Sequence, residues 1–265
     1  MANVQKKHSA LFKIIILFTI LLLNLNMFID DWRINTAFFL ILTVIFVVSR
    51  KWSMIHFALV FLLLSLNQFI LIDVLKKLPS VGFLVPFIIA TLIVLPFSAT
   101  RRALRWLRAG KLDSITIYLI IGTIVVAAVS LILWAQWTDF LGGAEYMIHE
   151  YASVPMWQMM LLAIPAFAVV NAFSEEVVYR GVLQNATAGV FESKILVLIF
   201  QSSAFAAAHF AFGFPNGFVG YIMVFFYGIM LGYLKIRSGG MLAPVLTHFF
   251  ADLTIGYFMI LYVYL

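Results

Sequence analysis

The chain contains no cysteine, so disulfides and thiolate metal sites are excluded. Charge is nearly as scarce. Only 11% of the 265 residues are Asp, Glu, Lys or Arg, while 65% are hydrophobic. Soluble domains carry about 25% charged residues. A chain this poor in charge cannot cover itself with a polar surface, and the bilayer is the solvent that suits it. Long polar linkers and internal repeats are missing too. The largest loop, "TDFLGGAEYMIHEYASVPMWQ" at 138–158, leaves no room for a soluble domain. The whole of 1–265 therefore reads as a single integral membrane domain.

What is present is a series of continuous apolar runs near 10–29, 34–49, 53–72, 81–99, 114–136, 157–178, 194–211, 217–234 and 241–262. Each approaches the ~20 residues that a helix needs to span the hydrocarbon layer. A β-barrel would show short alternating segments instead. The fold expected is all-α, a polytopic transmembrane bundle of eight or nine helices.

Orientation follows from Lys and Arg. Lys6, Lys7, the "SRKW" loop, the "TRRALRWLRAGK" loop and Lys235 with Arg237 fall on one side. "DDWR" and the acidic 138–158 segment fall on the other, with Lys76 and Lys77 against the trend. The amino terminus is thus expected in the cytoplasm, and a bacterial plasma membrane is the expected location. The net charge of +6 is spent on these loops, so nucleic acid is not an expected partner. The arginine-rich loop reads first as a topology signal, and second as an amphipathic stretch on the anionic leaflet.

The first five runs hold no acidic or basic residue at their centres apart from His56. From 157 onward Glu175, Glu176, Arg180, His209, His248 and Asp252 fall inside or beside apolar runs. Each charge at a helix centre costs roughly 2.5–3.5 kcal/mol on insertion scales, so such a cluster is a site by default. Glu176 and Arg180 are four apart with the acid first, the favourable order for an ion pair on one face. Glu175 points about 100° away and is free for other work, with Asn171 and Tyr179 on its face. Gln201, Phe205 and His209 recur every four residues, and His248 and Asp252 are again four apart. A carboxylate in apolar surroundings can serve as general base toward water. Imidazoles can orient that water, bind a metal or donate to an oxyanion, and a nearby carboxylate fixes a histidine tautomer. The parts suit hydrolysis of a carbonyl compound such as a peptide bond.

Three motifs in order carry a family resemblance: "EEVVYRG", "FAAAH" and "HFFAD", the last after the Gly-rich "RSGGMLAP". They resemble the Glu-Glu-x-x-x-Arg, Phe-x-x-x-His and His-x-x-x-Asn/Asp motifs of the type II CAAX prenyl endopeptidase and bacteriocin-processing (CPBP, or Abi) intramembrane proteases. The resemblance covers 171–252 and makes 157–265 the catalytic helices. It implies an endopeptidase acting on hydrophobic, membrane-anchored or prenylated peptides. Glu175 would activate water with help from His209, His248 and Asp252 would stabilise the oxyanion or orient the site, and Glu176 with Arg180 would support it. Asp252 stands where family members often have Asn, and could instead hold His248 or complete a metal site. The resemblance leaves two cofactor readings open: no metal, with water activated by Glu175, or zinc on Glu175, His209 and His248. HExxH is absent, since "HEYAS" at 149 lacks its second histidine.

The competing function is a non-catalytic membrane binder or scaffold giving bacteriocin self-immunity; a proton-relay transporter ranks below both. His56 reads as a packing hydrogen-bonder and His149 as solvated. Gly228 and Gly232 read as close packing within the bundle, and the 27 phenylalanines as lipid-facing filler. Along straight full spans, His209 would lie ~22 Å and His248 only ~12 Å from the cytoplasmic helix ends at 1.5 Å per residue. A short helix dipping in over "RGVLQNATAGVFESK" is one way to reconcile them.

Overall fold

The computed structural model describes residues 10–26, 28, 31–70, 79–138, 154–212 and 214–264. Among them every regular element is helical, and nine apolar helices make the body: α1 (Ala10–Leu25), α2 (Trp32–Val48), α3 (Trp52–Ile70), α4 (Pro79–Val94), α5 (Ser114–Trp137), α6 (Met156–Ala188), α7 (Lys194–Phe212), α8 (Gly217–Ser238) and α9 (Leu242–Tyr264). Helices α5, α6, α8 and α9 are long and apolar enough to cross a membrane. This is an integral membrane protein of the all-α class. His149, Lys6, Lys7, Lys76, Lys77 and the acidic part of the 138–158 loop lie outside the described residues.

The helices close into a ring. α7 packs on α8 and α1, α2 on α3, α3 on α4, α4 on α6, α6 on α9, and α9 on α8, with α5 outside against α8 and α9. The α1–α2 contact is aromatic: Phe12 stacks on Phe46 at 6.0 Å and Phe18 meets Phe38 at 5.5 Å. Many phenylalanines are thus core rather than lipid-facing filler. Phe39, Phe46 and Phe205 are almost wholly buried.

Helix α6 departs from the span expected at 157–178. It runs unbroken for 33 residues, from Met156 to Ala188, so no separate helix dips in over 180–194. Continuity costs regularity: Met159–Ala163 and Val177–Leu183 are wound as π-helix. Such turns frequently mark functional sites. The second π segment begins directly after Glu176 and fills the ring's interior at one end, where it touches α3, α4, α7 and α8.

The two glycines of "GIMLG" pack within the bundle, as expected. A Cβ at Gly228 would sit 3.0 Å from the Ser202 side chain, and one at Gly232 would sit 2.7 Å from Leu198. Bare backbone also leaves their carbonyls in reach. Gly228 accepts from Gln201 Nε2 at 2.9 Å, and Gly232 accepts from Gln184 Nε2 at 3.1 Å. Buried amides find their partners on a neighbouring helix in this way.

The α8–α9 connection is tied to the loop before α5. Met241 N donates to Arg108 O, Leu242 N to Ala109 O, and Lys111 N to Ser238 O, at 2.8–3.0 Å. Asp113 caps α5 through Thr116 N at 2.9 Å and pairs with Arg237 at 2.8 Å. The Thr116 backbone N–H, more than the arginine, holds the Asp113 carboxyl below its ordinary range.

Candidate active site

Glu175 and Glu176 end the regular part of α6, His209 lies one turn from the end of α7, and His248 and Asp252 lie in the first half of α9. All of them, with Arg180, come together. His209 lies about 22 Å along α7 and His248 about 9 Å along α9 at 1.5 Å per residue. Both nevertheless reach the same Glu175 oxygen. So α9 begins deeper in the bundle than α7, above the clamp that Arg108–Lys111 forms on 238–242. That offset resolves the mismatch in depth, rather than an extra helix.

Glu175 Oε2 stands 3.8 Å from His209 Nε2 and 3.7 Å from His248 Nε2. It is a buried oxygen with no hydrogen-bond partner. The Glu175 side chain keeps 12% exposure and His209 15%, whereas Glu176 and Arg180 keep none.

The imidazoles are held from behind. His209 Nδ1 lies 3.0 Å from the Phe205 carbonyl, which can only accept, so Nδ1 carries the hydrogen. A neutral His209 then turns the lone pair of Nε2 toward Glu175. His248 Nδ1 lies 2.9 Å from Glu176 Oε1, the same oxygen that Arg180 holds at 2.9 Å. Glu176, not Asp252, therefore fixes the orientation of His248. Asp252 sits at the other nitrogen, 3.6 Å from Nε2, and accepts from Asn171 Nδ2 at 3.2 Å.

Phe205 proves central. The Arg180 guanidinium lies 4.1 Å over its ring, and both histidine rings contact it, at 4.6 and 6.0 Å. Its four-residue step to His209 was the available signal. Lys235, read from sequence only as a topology-setting loop cation, lies within α8, and its ammonium donates to the Arg180 carbonyl within the π segment. His56 pairs with Thr91 at 3.2 Å, as a packing hydrogen-bonder.

Zinc fits these side chains poorly. Among the described residues no three of the ligating types are arranged to hold a metal ion. Bonds of about 2.0–2.1 Å in a tetrahedron put ligand atoms about 3.3 Å apart. The pairs from Glu175 to the two histidines are wider, at 3.7 and 3.8 Å.

Residues 157–254 match the family described as type II CAAX prenyl endopeptidase Rce1-like. No curated protein and no solved structure matches the chain. The matched segment contains Glu175, Glu176, Arg180, His209, His248 and Asp252 together. Residues 157–254 thus carry the family resemblance that the three motifs announced, that of the Rce1-like type II CAAX prenyl endopeptidases, and the kind of function it brings is that of a CAAX-type intramembrane peptide hydrolase.

Proposed function

We propose that the chain is an intramembrane endopeptidase in which Glu175 activates a water against the scissile carbonyl of a hydrophobic or lipidated, membrane-anchored peptide. The observation that carries this reading is the buried, unpartnered Glu175 Oε2 facing Nε2 of both His209 and His248. Separations of 3.7–3.8 Å are too long for hydrogen bonds. They leave a gap in which one water can bridge the groups.

In this reading the water donates one hydrogen to Glu175 and is steadied by His209. Its oxygen attacks the carbonyl carbon as Glu175 takes the proton. Nε2 of His248, protonated for the purpose and backed by Glu176 at Nδ1, donates to the oxyanion. When the C–N bond breaks, Glu175 returns its proton to the leaving amine. Asp252 and Asn171 border the His248 side of the reacting position, and no metal is required.

The test is cleavage of membrane-anchored and prenylated peptides by the purified full chain in detergent. Glu175→Gln and His209→Ala are expected to lose about 10²–10⁴-fold in kcat, the usual worth of a general base. Wild-type inactivity on every peptide, with biological effect intact in Glu175→Gln, would instead favour the non-catalytic membrane binder and its role in bacteriocin immunity.

A further inference from the structure

A lysine near the end of a membrane helix ordinarily turns its ammonium out to the headgroups, or onto the last carbonyls of its own helix. Arg237 of α8 turns outward in this way, pairing with Asp113 at 2.8 Å with 31% of its side chain exposed. Lys235, two residues earlier, turns inward and is half-buried. Its ammonium donates to the Arg180 carbonyl of another helix. Among the described residues no carboxylate lies within ion-pair distance of it.

The winding of α6 accounts for that contact. In an α-helix the Gln184 N–H would bond the Arg180 carbonyl, four residues back. Here it donates to the Tyr179 carbonyl, five residues back. The Arg180 carbonyl has thus lost its α-helical donor, and the Lys235 ammonium supplies one. Gly232 and Lys235 are three apart and share a face of α8. Gly232 O accepts from the Gln184 side chain at 3.1 Å, at the same junction where π winding returns to α. One face of α8 therefore holds both ends of the hydrogen bond that the π winding breaks.

Arg180 is where the two histidines of the site are joined. Its ion-pair partner at 2.9 Å, Glu176 Oε1, meets Nδ1 of His248 at 2.9 Å. Its guanidinium lies 4.1 Å over Phe205, whose carbonyl takes Nδ1 of His209 at 3.0 Å. Return of the Arg180 carbonyl to Gln184 N–H would turn the two halves of α6 against each other by about one residue, roughly 100°. The Glu175–Glu176 half and the Gln184 half could not then both keep their present contacts.

We propose that Lys235 is a positioning residue of the site: by donating to the Arg180 carbonyl it holds the π winding that sets Glu176 and Arg180 against His248 and Phe205. It acts through Arg180 and Glu176, not on the peptide. Its effect on rate rests on the reading of Glu175 as the base that activates water, and a second readout separates the two.

Lys235→Met keeps most of the side chain and removes the ammonium. In the purified full chain, kcat on a cleavable membrane-anchored peptide is expected to fall about 10–100-fold with KM little changed, the scale of one hydrogen bond to a charged group. In histidine-selective nitrogen-15 spectra of the folded protein, the Nδ1 signal of His248, assigned with His248→Gln, is expected to shift. Arg237→Met removes the neighbouring cation that pairs outward, and should leave both kcat and that signal as in wild type. Lys235→Gln, a shorter and neutral donor, gives the same comparison with a smaller loss if Lys235→Met does not fold. Full turnover, or an unmoved His248 signal, in a folded Lys235 variant would overturn the proposal, as would an equal loss in Arg237→Met. A wild-type chain that cleaves no peptide would defeat the protease reading, and the His248 signal would still decide the role of Lys235.

Discussion

Glu176 Oε1 holds His248 Nδ1 and Arg180 at once, each at 2.9 Å. One oxygen therefore ties the charge buried in the π segment to the imidazole that faces Glu175. Replacing Glu176 with Gln leaves the shape but removes the charge that balances Arg180 and backs His248. We expect kcat to fall about 10²–10⁴-fold with KM little changed, by the logic of a carboxylate that orients a catalytic histidine. Stability should fall as well, since breaking a buried pair costs about 3–5 kcal/mol. Paired kinetics and thermal unfolding in detergent decide the point. Loss of stability with full turnover would make Glu176 a structural residue only.

Asp252 accepts from Asn171 and stands 3.6 Å from His248 Nε2. Asparagine keeps an oxygen for Asn171 and adds a donor. Asp252→Asn should then change kcat by no more than about tenfold, the worth of one hydrogen bond. Asp252→Leu, which removes both oxygens beside His248 and the one that accepts from Asn171, should lose far more. Equal loss in both would show that the negative charge itself is needed.

The motifs were legible because ionisable residues are so rare here that six of them in apolar runs had to mean something. The Glu176–Arg180 pair could be read from its i,i+4 spacing. The partner of His248 could not. Sequence offers Asp252, four residues on, whereas the contact that forms comes from Glu176, 72 residues away. The unbroken α6 was hidden for a related reason. "YRGVLQN" looks like a polar break, yet Gln184 Nε2 donates to the Gly232 carbonyl of α8 while Arg180 pairs with Glu176 and lies on Phe205, so the helix continues. Phe205 was marked by its four-residue step to His209, but that spacing gave no sign that Arg180 and His248 would also meet its ring.

Close packing of α7 on α8 gives a stability prediction. Gly232→Ala would put a methyl 2.7 Å from Leu198 and 2.8 Å from the Gln201 amide. Overpacking of this kind costs about 1–3 kcal/mol. Gly122→Ala, where nothing lies within 4 Å, should cost nothing. Thermal unfolding of the two variants in one detergent gives the comparison, and equal midpoints would contradict the α7–α8 register.

Asp113 gives a pH dependence outside the membrane. Its carboxyl is held below the ordinary range, chiefly by Thr116 N–H. A depressed carboxylate stabilises the fold above its unfolded pKa, about 3.9, and that contribution is lost as pH falls through the folded value. Asp113→Asn should therefore be less stable than wild type at neutral pH, and the gap should close in acid. A gap that widens in acid would reverse the assignment.

Glu175 Oε2 lies 3.8 and 3.7 Å from the two Nε2 atoms, wider than the roughly 3.3 Å edge of a zinc tetrahedron. A water bridging the three groups tolerates those lengths, because each hydrogen bond can reach about 2.8–3.0 Å from a shared centre. Prolonged dialysis against a chelator is expected to leave the cleavage rate unchanged, and the washed protein should contain far less than one zinc per chain. His209→Ala should still lose activity under both conditions. Rate loss on chelation, restored by one equivalent of zinc, would mean that the three side chains close in by several tenths of an ångström around a metal. Glu175 would then be a ligand rather than the base.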